Sequence, residues 1–242
     1  MKSTLLEKSF RILERVATAS EPVTLKELAA DLNLNTSTVS RIAADLTERH
    51  LIRKAGYHSF VPSTALFRLG EHARNTPLIR TVSPLLTSRA LELNINISLA
   101  CIESGDLLCL ASCGPDAGDK KPPAFPLWRS PQAAVILGKI NQPETAENFF
   151  RRATENTASK LNLQQEQIFF KNLCRSAAAT GCIIQKDPRT GWNVSFPIAA
   201  ADDFFGLSLF GKDVDKCNIE RMQFEGSRLA SRLTSAINAL FY

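Results

Sequence analysis

Residues Asn35–Arg41, NTSTVSR, bring together side chains that could form hydrogen bonds to a phosphate or to the edge of a base. The four hydroxyls are donors and acceptors on short stems, and the guanidinium of Arg41 matches a phosphate or a guanine with two parallel hydrogen bonds. No acidic residue occurs between Asp31 and Asp45, so this stretch carries no charge that repels an anion. The stretch therefore predicts contact with a polyanion, provided that its polar side chains point outward.

A helix beginning after Asn35 would hold these side chains in that way. At helical spacing, one side is apolar: Val39, Ile42, Ala43 and Leu46. The other side carries short polar groups and one cation: Ser37, Ser40, Arg41 and Ala44. Asn35 is a suitable N-cap, and the partial positive charge of a helix N-terminus favours phosphate. The alternative is a three-helix cluster whose third helix has a merely solvated polar face.

Two helices and a hairpin are predicted around this segment. The first helix has apolar residues at helical spacing: Leu5, Leu6, Ile12, Leu13, Val16 and Ala17. Thr24 and Glu27 form a predicted capping box at the start of the second helix. After the third helix, residues 51–54 and 59–62 form a predicted hairpin in which Arg53 and Lys54 are placed to touch phosphate. This order of elements predicts a winged helix-turn-helix.

These segments strongly resemble the DNA-binding domain of IclR-type bacterial transcriptional regulators. That family has a similar first helix, a T-L-x-E-L-A second helix and an S-T-V-x-R recognition helix, which Ser37, Thr38, Val39 and Arg41 match. Thr36 and Ser40 stand where lysine and histidine are frequent, which suggests a different operator. The resemblance implies a homodimer or homotetramer on double-stranded operator DNA, with these contact residues: Thr36, Ser37, Thr38, Ser40, Arg41, Arg53 and Lys54.

The resemblance continues more weakly over the rest of the chain and implies an α+β protein. A winged helix-turn-helix at residues 1–62 is followed by a linker helix at 63–76 and a GAF-like effector domain at 77–242, an antiparallel sheet with helices. Within that domain, Pro84 predicts a helix break, Gly105 and Asp106 predict a type II′ hairpin turn, and residues 214–241 predict a long terminal helix. The stripe of that helix is Ile219, Met222, Gly226, Leu229, Leu233, Ile237 and Leu240.

In the resembled family, a small organic acid or aromatic compound often lies between the sheet and two loops. Carried over to this sequence, the effector residues are Trp128, Ser130, Gln132, Trp192, Asn193, Ser195 and Ser208. The serines, Asn193 and Gln132 would be donors to a carboxylate, while Trp128 and Trp192 would form an apolar wall. The alternative for each serine is a hydroxyl satisfied within the core, and a domain that binds no ligand and only oligomerises remains open.

Enzyme and metal chemistry find little support in the sequence. All three histidines, His50, His58 and His72, precede the second domain, which excludes Ser-His-Asp and Cys-His arrangements there. Cys109-x-x-x-Cys113 is a poor zinc motif without further ligands. We therefore expect no cofactor, no metal and no enzyme activity; a small-molecule enzyme with a winged-helix appendage is the weaker alternative.

Charge and hydropathy limit the partners and the compartment. The net charge of +5 permits an anionic partner without requiring one. No uninterrupted apolar run is long enough to be a signal peptide or a membrane span. The cysteines in apolar segments, such as Cys101 and Cys109, are then expected to be small buried hydrophobic residues in a reducing cytoplasm.

Overall fold

The structure is a computed structural model that describes residues 4–73, 75–103, 105–116, 126–154, 162–187, 191–211 and 216–241. The chain divides into two compact units, Met1–Asn75 and Thr76–Tyr242. Together the units have the predicted α+β composition, with helices and a small sheet in the first and an antiparallel sheet with helices in the second.

Within its described residues, the first unit contains four helices and a small sheet. In chain order these are α1 (Leu5–Ala17), β1 (Val23–Thr24), α2 (Leu25–Leu32), α3 (Thr36–Glu48), β2 (Ile52–Lys54), β3 (Ser59–Pro62) and α4 (Ala65–Ala73). The three strands pair antiparallel in the order β1-β3-β2. The two-residue strand β1 was not predicted, because a strand this short has no periodicity to detect.

The core of this unit lies where α1, α2 and α3 meet the small sheet, and it includes Ile12, Val16, Leu28, Ile42 and Phe60. Leu5 and Leu6 were counted with the apolar face of α1 but are exposed. The predicted capping box of α2 is confirmed: the hydroxyl of Thr24 accepts from the backbone N–H of Glu27, and the Glu27 carboxylate accepts from the backbone N–H of Thr24 at 2.7 Å.

The described part of the second unit forms a five-stranded antiparallel sheet with helices on both faces. Its elements are α5 (Pro77–Leu93), β4 (Asn96–Glu103), β5 (Asp106–Cys113), a 3₁₀ turn (Leu127–Arg129), α6 (Pro131–Ile140), α7 (Pro143–Thr154), α8 (Leu163–Thr180), β6 (Ile183–Asp187), β7 (Gly191–Ala200), β8 (Asp203–Gly211) and α9 (Lys216–Phe241). The strand order is β5-β4-β8-β7-β6. Three of the strand pairs, β4–β5, β6–β7 and β7–β8, are hairpins of consecutive strands. The fourth pair, β4–β8, connects the two halves of the sheet.

The two faces of this sheet have different chemistry. One face is apolar and packs against α5 and α9, with Leu99, Val194 and Leu207 fully buried there. The other face is covered by α6, which in turn packs against α8. Helix α6 was not predicted: seven of its ten residues are buried, so it lacks the polar stripe that marks a surface helix.

Helix α5 contradicts the predicted break at Pro84, because it runs unbroken from Pro77 to Leu93. Pro84 has no N–H to donate, but it lies on the exposed side, where water can satisfy the carbonyl one turn earlier. Val82 and Leu86 on the other side are fully buried, and their packing outweighs the lost hydrogen bond.

The predicted type II′ turn is also wrong. Asp106 belongs to β5 and pairs with Glu103, so Gly105 is the second residue of the loop. Its φ is +84°, whereas a type II′ turn has its positive φ at the first central position.

The stripe predicted along α9 is buried from Ile219 to Ile237 but not at Leu240, which is 37% exposed. Gly226 lies at the closest approach, since a Cβ there would come within 2.3 Å of the Phe196 ring. The start of the predicted segment, residues 214–215, lies outside the described residues.

The described cysteines are less buried than predicted. Cys101 on β4 and Cys113 on β5 are half-buried. Cys109, also on the edge strand β5, is exposed. Burial raises the pKa of the Cys174 thiol to about 12, which keeps it protonated at neutral pH.

Candidate functional site

The outer face of α3 carries the polar side chains that the sequence places there. Thr36, Ser37, Ser40 and Arg41 are exposed, and Thr38 is half-buried. The opposite face is anchored in the core of the first unit by Val39, Ile42, Ala43 and Leu46. Asn35 occupies the N-cap position, but its side chain makes no capping hydrogen bond, so a backbone N–H group of the first turn remains for an external acceptor.

The turn before α3 fixes how that face is presented. Asn33 ends α2 in the left-handed conformation, with φ of 52°, and the backbone N–H of Leu34 donates to the carbonyl of Ala29 at 2.9 Å. Arg15 on α1 pairs with Asp31 on α2 at 2.7 Å. The two helices of the motif are thus joined by a tight turn that α1 supports.

The hairpin of β2 and β3 follows α3 directly. Leu51 donates its backbone N–H to the carbonyl of Leu46 at 2.9 Å, which ties the hairpin to the end of α3. Arg53 and Lys54 lie on β2 and are both exposed. Their cations are therefore available to an external anion on the same unit as α3.

In the second unit, a polar cluster lies between α6 and the sheet. Ser98, Ser208 and Ser195 lie in register across β4, β8 and β7. Ser195 donates its hydroxyl proton to the side-chain oxygen of Asn193 at 2.9 Å and so accepts from the hydroxyl of Ser208, which lies 2.6 Å away.

Gln132 on α6 closes this cluster. Its side-chain nitrogen donates to the carbonyls of Gly206 at 2.7 Å and Ser98 at 3.2 Å. Gly206 permits this close approach, because a Cβ there would lie 2.8 Å from the carbonyl oxygen of Gln132. The cluster is therefore compact, with Ser195, Ser208 and Asn193 buried beneath α6.

The pattern for the family described as the IclR helix-turn-helix domain matches residues 5–56. That range contains α1, α2, α3 and the hairpin up to its loop. The first unit carries an IclR helix-turn-helix domain. A search of curated proteins found no match to the chain.

Several solved structures have a fold similar to that of this chain over nearly its whole length. An IclR family transcriptional regulator from Brucella abortus has a TM-score of 0.75 and 15% identity, with 98% of this chain and 92% of that chain covered. An IclR homologue from Microbacterium hydrocarbonoxydans, solved with 4-hydroxybenzoate, has a TM-score of 0.62 and 15% identity, with 98% and 100% covered. A regulator from Alicyclobacillus acidocaldarius has a TM-score of 0.66 and 15% identity, with 96% and 98% covered. At this identity the likeness establishes a shared fold.

In the second unit, Trp128 and Trp192 do not form one wall. Trp128 is buried with Phe149, Phe150 and Phe170 on the α6 side, while Trp192 packs against the α5 and α9 side. The physical reason is strand alternation: Trp192 precedes Asn193 on β7, so their side chains leave opposite faces of the sheet.

Trp128 and Ser130 both have partners within the unit. The indole N–H of Trp128 donates to the Glu166 carboxylate at 2.7 Å, and Arg129 donates to the same group through Nε at 3.0 Å. These hydrogen bonds hold the pKa of Glu166 below its usual range, and the one from Arg129 contributes most. Ser130 is the N-cap of α6, and its hydroxyl accepts from the backbone N–H of Ala133.

Two residues that the sequence analysis did not select belong to the polar face under α6. The Ser98 hydroxyl donates to the side-chain oxygen of Gln132 at 3.5 Å, and Gln185 on β6 pairs in register with Asn193. Within the described part of the chain, the side-chain oxygen of Gln185 is buried and has no hydrogen-bond partner. Alternation along β4 and β6 was the signal that could have found them.

Within the described ranges, His, Cys, Asp and Glu side chains form no group of three that could hold a metal ion. No described helix combines the length and hydropathy needed to cross a membrane.

Proposed function

We propose that this IclR-type, DNA-binding regulator controls transcription by reading a paired operator with α3 as part of a homo-oligomer. The observation that carries the proposal is the division of α3 into a buried apolar face and an exposed face of hydroxyls with one cation. Short side chains let a helix approach the floor of the major groove, where base edges are distinguishable. A regulator of this kind acts where the chromosome is, so we place it in the cytoplasm.

The proposed contacts divide into two kinds. Ser37, Ser40 and Arg41 reach base edges, because they lie on the exposed face of α3. Thr36 and Thr38 bind phosphate at the helix start, where unpaired N–H groups attract anions. Arg53 and Lys54 bind phosphate from the hairpin. These four phosphate contacts position the unit on the duplex.

Selection from random duplexes by the purified full chain tests this proposal. We expect two inverted half-sites whose centres are about 10–10.5 base pairs apart, or a multiple of that, because each copy presents one α3 to one major groove. Sedimentation of the selected complex should show at least two chains per duplex. Recovery of unrelated sequences, or of single half-sites bound by one chain, would contradict the proposal.

We further propose that a small molecule acts on the second unit at the polar cluster under α6. The supporting observation is the buried side-chain oxygen of Gln185, an acceptor that calls for a donor. The structural neighbour from Microbacterium was solved with 4-hydroxybenzoate, an aromatic acid. The cluster of Ser98, Gln132, Gln185, Asn193, Ser195 and Ser208 contains no cation, so a hydroxyl of the effector suits it better than a bare carboxylate.

A second candidate is a unit that binds no ligand and only oligomerises. The compactness of the cluster favours it, since Ser195 and Ser208 satisfy each other and Gln132 already bonds to two strand carbonyls. Any ligand would have to displace Gln132.

Thermal unfolding of the full chain with matched compounds separates the two candidates. The compounds are 4-hydroxybenzoate, 4-hydroxybenzamide and benzoate, which differ in charge and in the hydroxyl. A ligand at 100 times its Kd should add about 2.7 kcal/mol of stability, and Ser195→Ala should reduce that gain. No stabilisation by this series or by neutral polyols at millimolar concentration would favour the unit without a ligand.

A further inference from the structure

Tyr57 stands at the tip of the hairpin that follows α3, and 90% of its side chain is exposed. Hydrogen bonds between its two ends hold the loop that carries Tyr57. The backbone N–H of Ala55 donates to the carbonyl of Ser59, and the Ser59 hydroxyl donates back to the carbonyl of Ala55, both at 3.0 Å. The carbonyl of His58 accepts from the backbone N–H of Leu25, also at 3.0 Å. The ring is therefore held outward by a backbone anchored to the rest of the unit.

The Tyr57 ring contributes little to the packing of the unit. It meets the ring of His58 edge to face, with centroids 4.0 Å apart and planes at 66°, and both residues are exposed. Gly56 has a φ of +118°, which only glycine adopts readily, and His58 is left-handed with a φ of 55°. A loop with this backbone turns sharply and presents the two rings together at its end.

The charge around the tip suits a polyanion. Arg53 and Lys54 are exposed on the strand that leads to it, and no acidic residue occurs from position 49 to position 70. Since the hairpin is tied to the end of α3, any duplex bound by α3 brings phosphates close to this basic edge.

We infer that Tyr57 enters the minor groove beside the half-site read by α3 and donates its phenolic hydrogen to base acceptors there. The minor groove is about 6 Å wide, which excludes a helix but admits a hairpin tip with one ring. A·T pairs expose only acceptors in this groove, whereas G·C pairs add the guanine amino group. The guanine amino group projects from the floor of the groove and obstructs the approach of a ring to the acceptors beside it, so Tyr57 confers a preference for A·T pairs next to the half-site. This inference depends on the proposed DNA binding.

The test uses the full chain and a duplex recovered by selection, with three versions of the flanking pairs. One flank is A·T, one is G·C, and one is inosine·cytosine, which presents a major groove like G·C but a minor groove without the amino group. The proteins are the unaltered chain, Tyr57→Ala and the control Phe224→Ala, an exposed aromatic residue of the second unit. Fluorescence anisotropy measures Kd for each pair.

The unaltered chain and Phe224→Ala should bind the G·C flank about tenfold more weakly than the A·T flank and should recover on inosine·cytosine. Tyr57→Ala should bind the A·T flank about tenfold more weakly and show no flank preference. Equal affinity of Tyr57→Ala and the unaltered chain, or an inosine·cytosine flank that behaves like G·C, would overturn the inference. Failure of the unaltered chain to bind any selected duplex would instead overturn the proposed function.

Discussion

Arg41 and Lys54 are both exposed cations of the first unit, and the proposed DNA binding gives them different tasks. Arg41 lies on the outer face of α3 and can form two hydrogen bonds to a guanine, which is a sequence-dependent contact. Lys54 lies on β2 and offers a point charge, which binds any phosphate. A base-reading residue changes discrimination, whereas a phosphate-binding residue changes the affinity for every duplex.

The prediction at this scale compares Arg41→Ala with Lys54→Ala. Arg41→Ala should cost about 1–3 kcal/mol on the selected operator and much less on a scrambled duplex. Lys54→Ala should weaken both duplexes alike and reduce the slope of log K against log salt by about one. Anisotropy titrations at several salt concentrations measure both effects, with Arg232→Ala on α9 as an exposed-cation control. Equal losses on both duplexes in Arg41→Ala would argue against base reading.

At the scale of elements, Glu166 joins α8 to the 3₁₀ turn that precedes α6. Its carboxylate accepts from Trp128 and Arg129, and the side chain is 12% exposed. Because the folded-state pKa is lowered, the carboxylate contributes stability above its ordinary pKa, and that contribution is lost as pH falls through the lowered value.

We therefore predict that Glu166→Gln destabilises the protein at pH 7 by about 1–2 kcal/mol, a modest value because Arg129 remains partly exposed to solvent. The variant should also lose less stability than the unaltered chain when the pH is lowered from 6 to about 3, since the titrating group is gone. Urea unfolding midpoints at both pH values measure this, with Glu144→Gln as an exposed control on α7. Identical acid dependence in Glu166→Gln and the control would refute the prediction.

At the scale of the whole molecule, regulation requires the two units to respond to each other. A ligand can shift DNA affinity only by as much as its own affinity differs between two states of the protein. If the proposed effector binds under α6, the cluster would supply such a difference, because the ligand would displace Gln132 from the carbonyls of Gly206 and Ser98. Coupling of this kind is typically about 1–3 kcal/mol and is reciprocal between the two sites.

Much of the first unit was predictable because its signals are local. The capping box of Thr24 and Glu27 depends on residues three apart, and the two faces of α3 follow from a period of 3.6 residues. The exposure of Ser37, Ser40 and Arg41 required no knowledge of distant contacts. The predicted DNA-contact residues all lie on α3 and β2 of this unit, and their roles stay predictions.

The second unit was less predictable because its decisive features come from contacts between distant segments. A buried helix such as α6 has no polar stripe, and Pro84 remained helical because Val82 and Leu86 pack against residues far along the chain. Trp192 was grouped with Trp128 although strand alternation sends them to opposite faces of the sheet.

The amino-acid sequence alone determined the helix-turn-helix, the exposed polar face of α3 and the strand-rich character of the second unit, since these depend on neighbours within a few residues. Tertiary structure alone decided that the serines of β4, β7 and β8 share one row and that Gln132 covers them. The reason is that the pairing of β4 with β8 and the docking of α6 depend on segments far apart in the chain, as in the hydrogen bonds that join Gln132 to Ser98, 34 residues away, and to Gly206, 74 residues away.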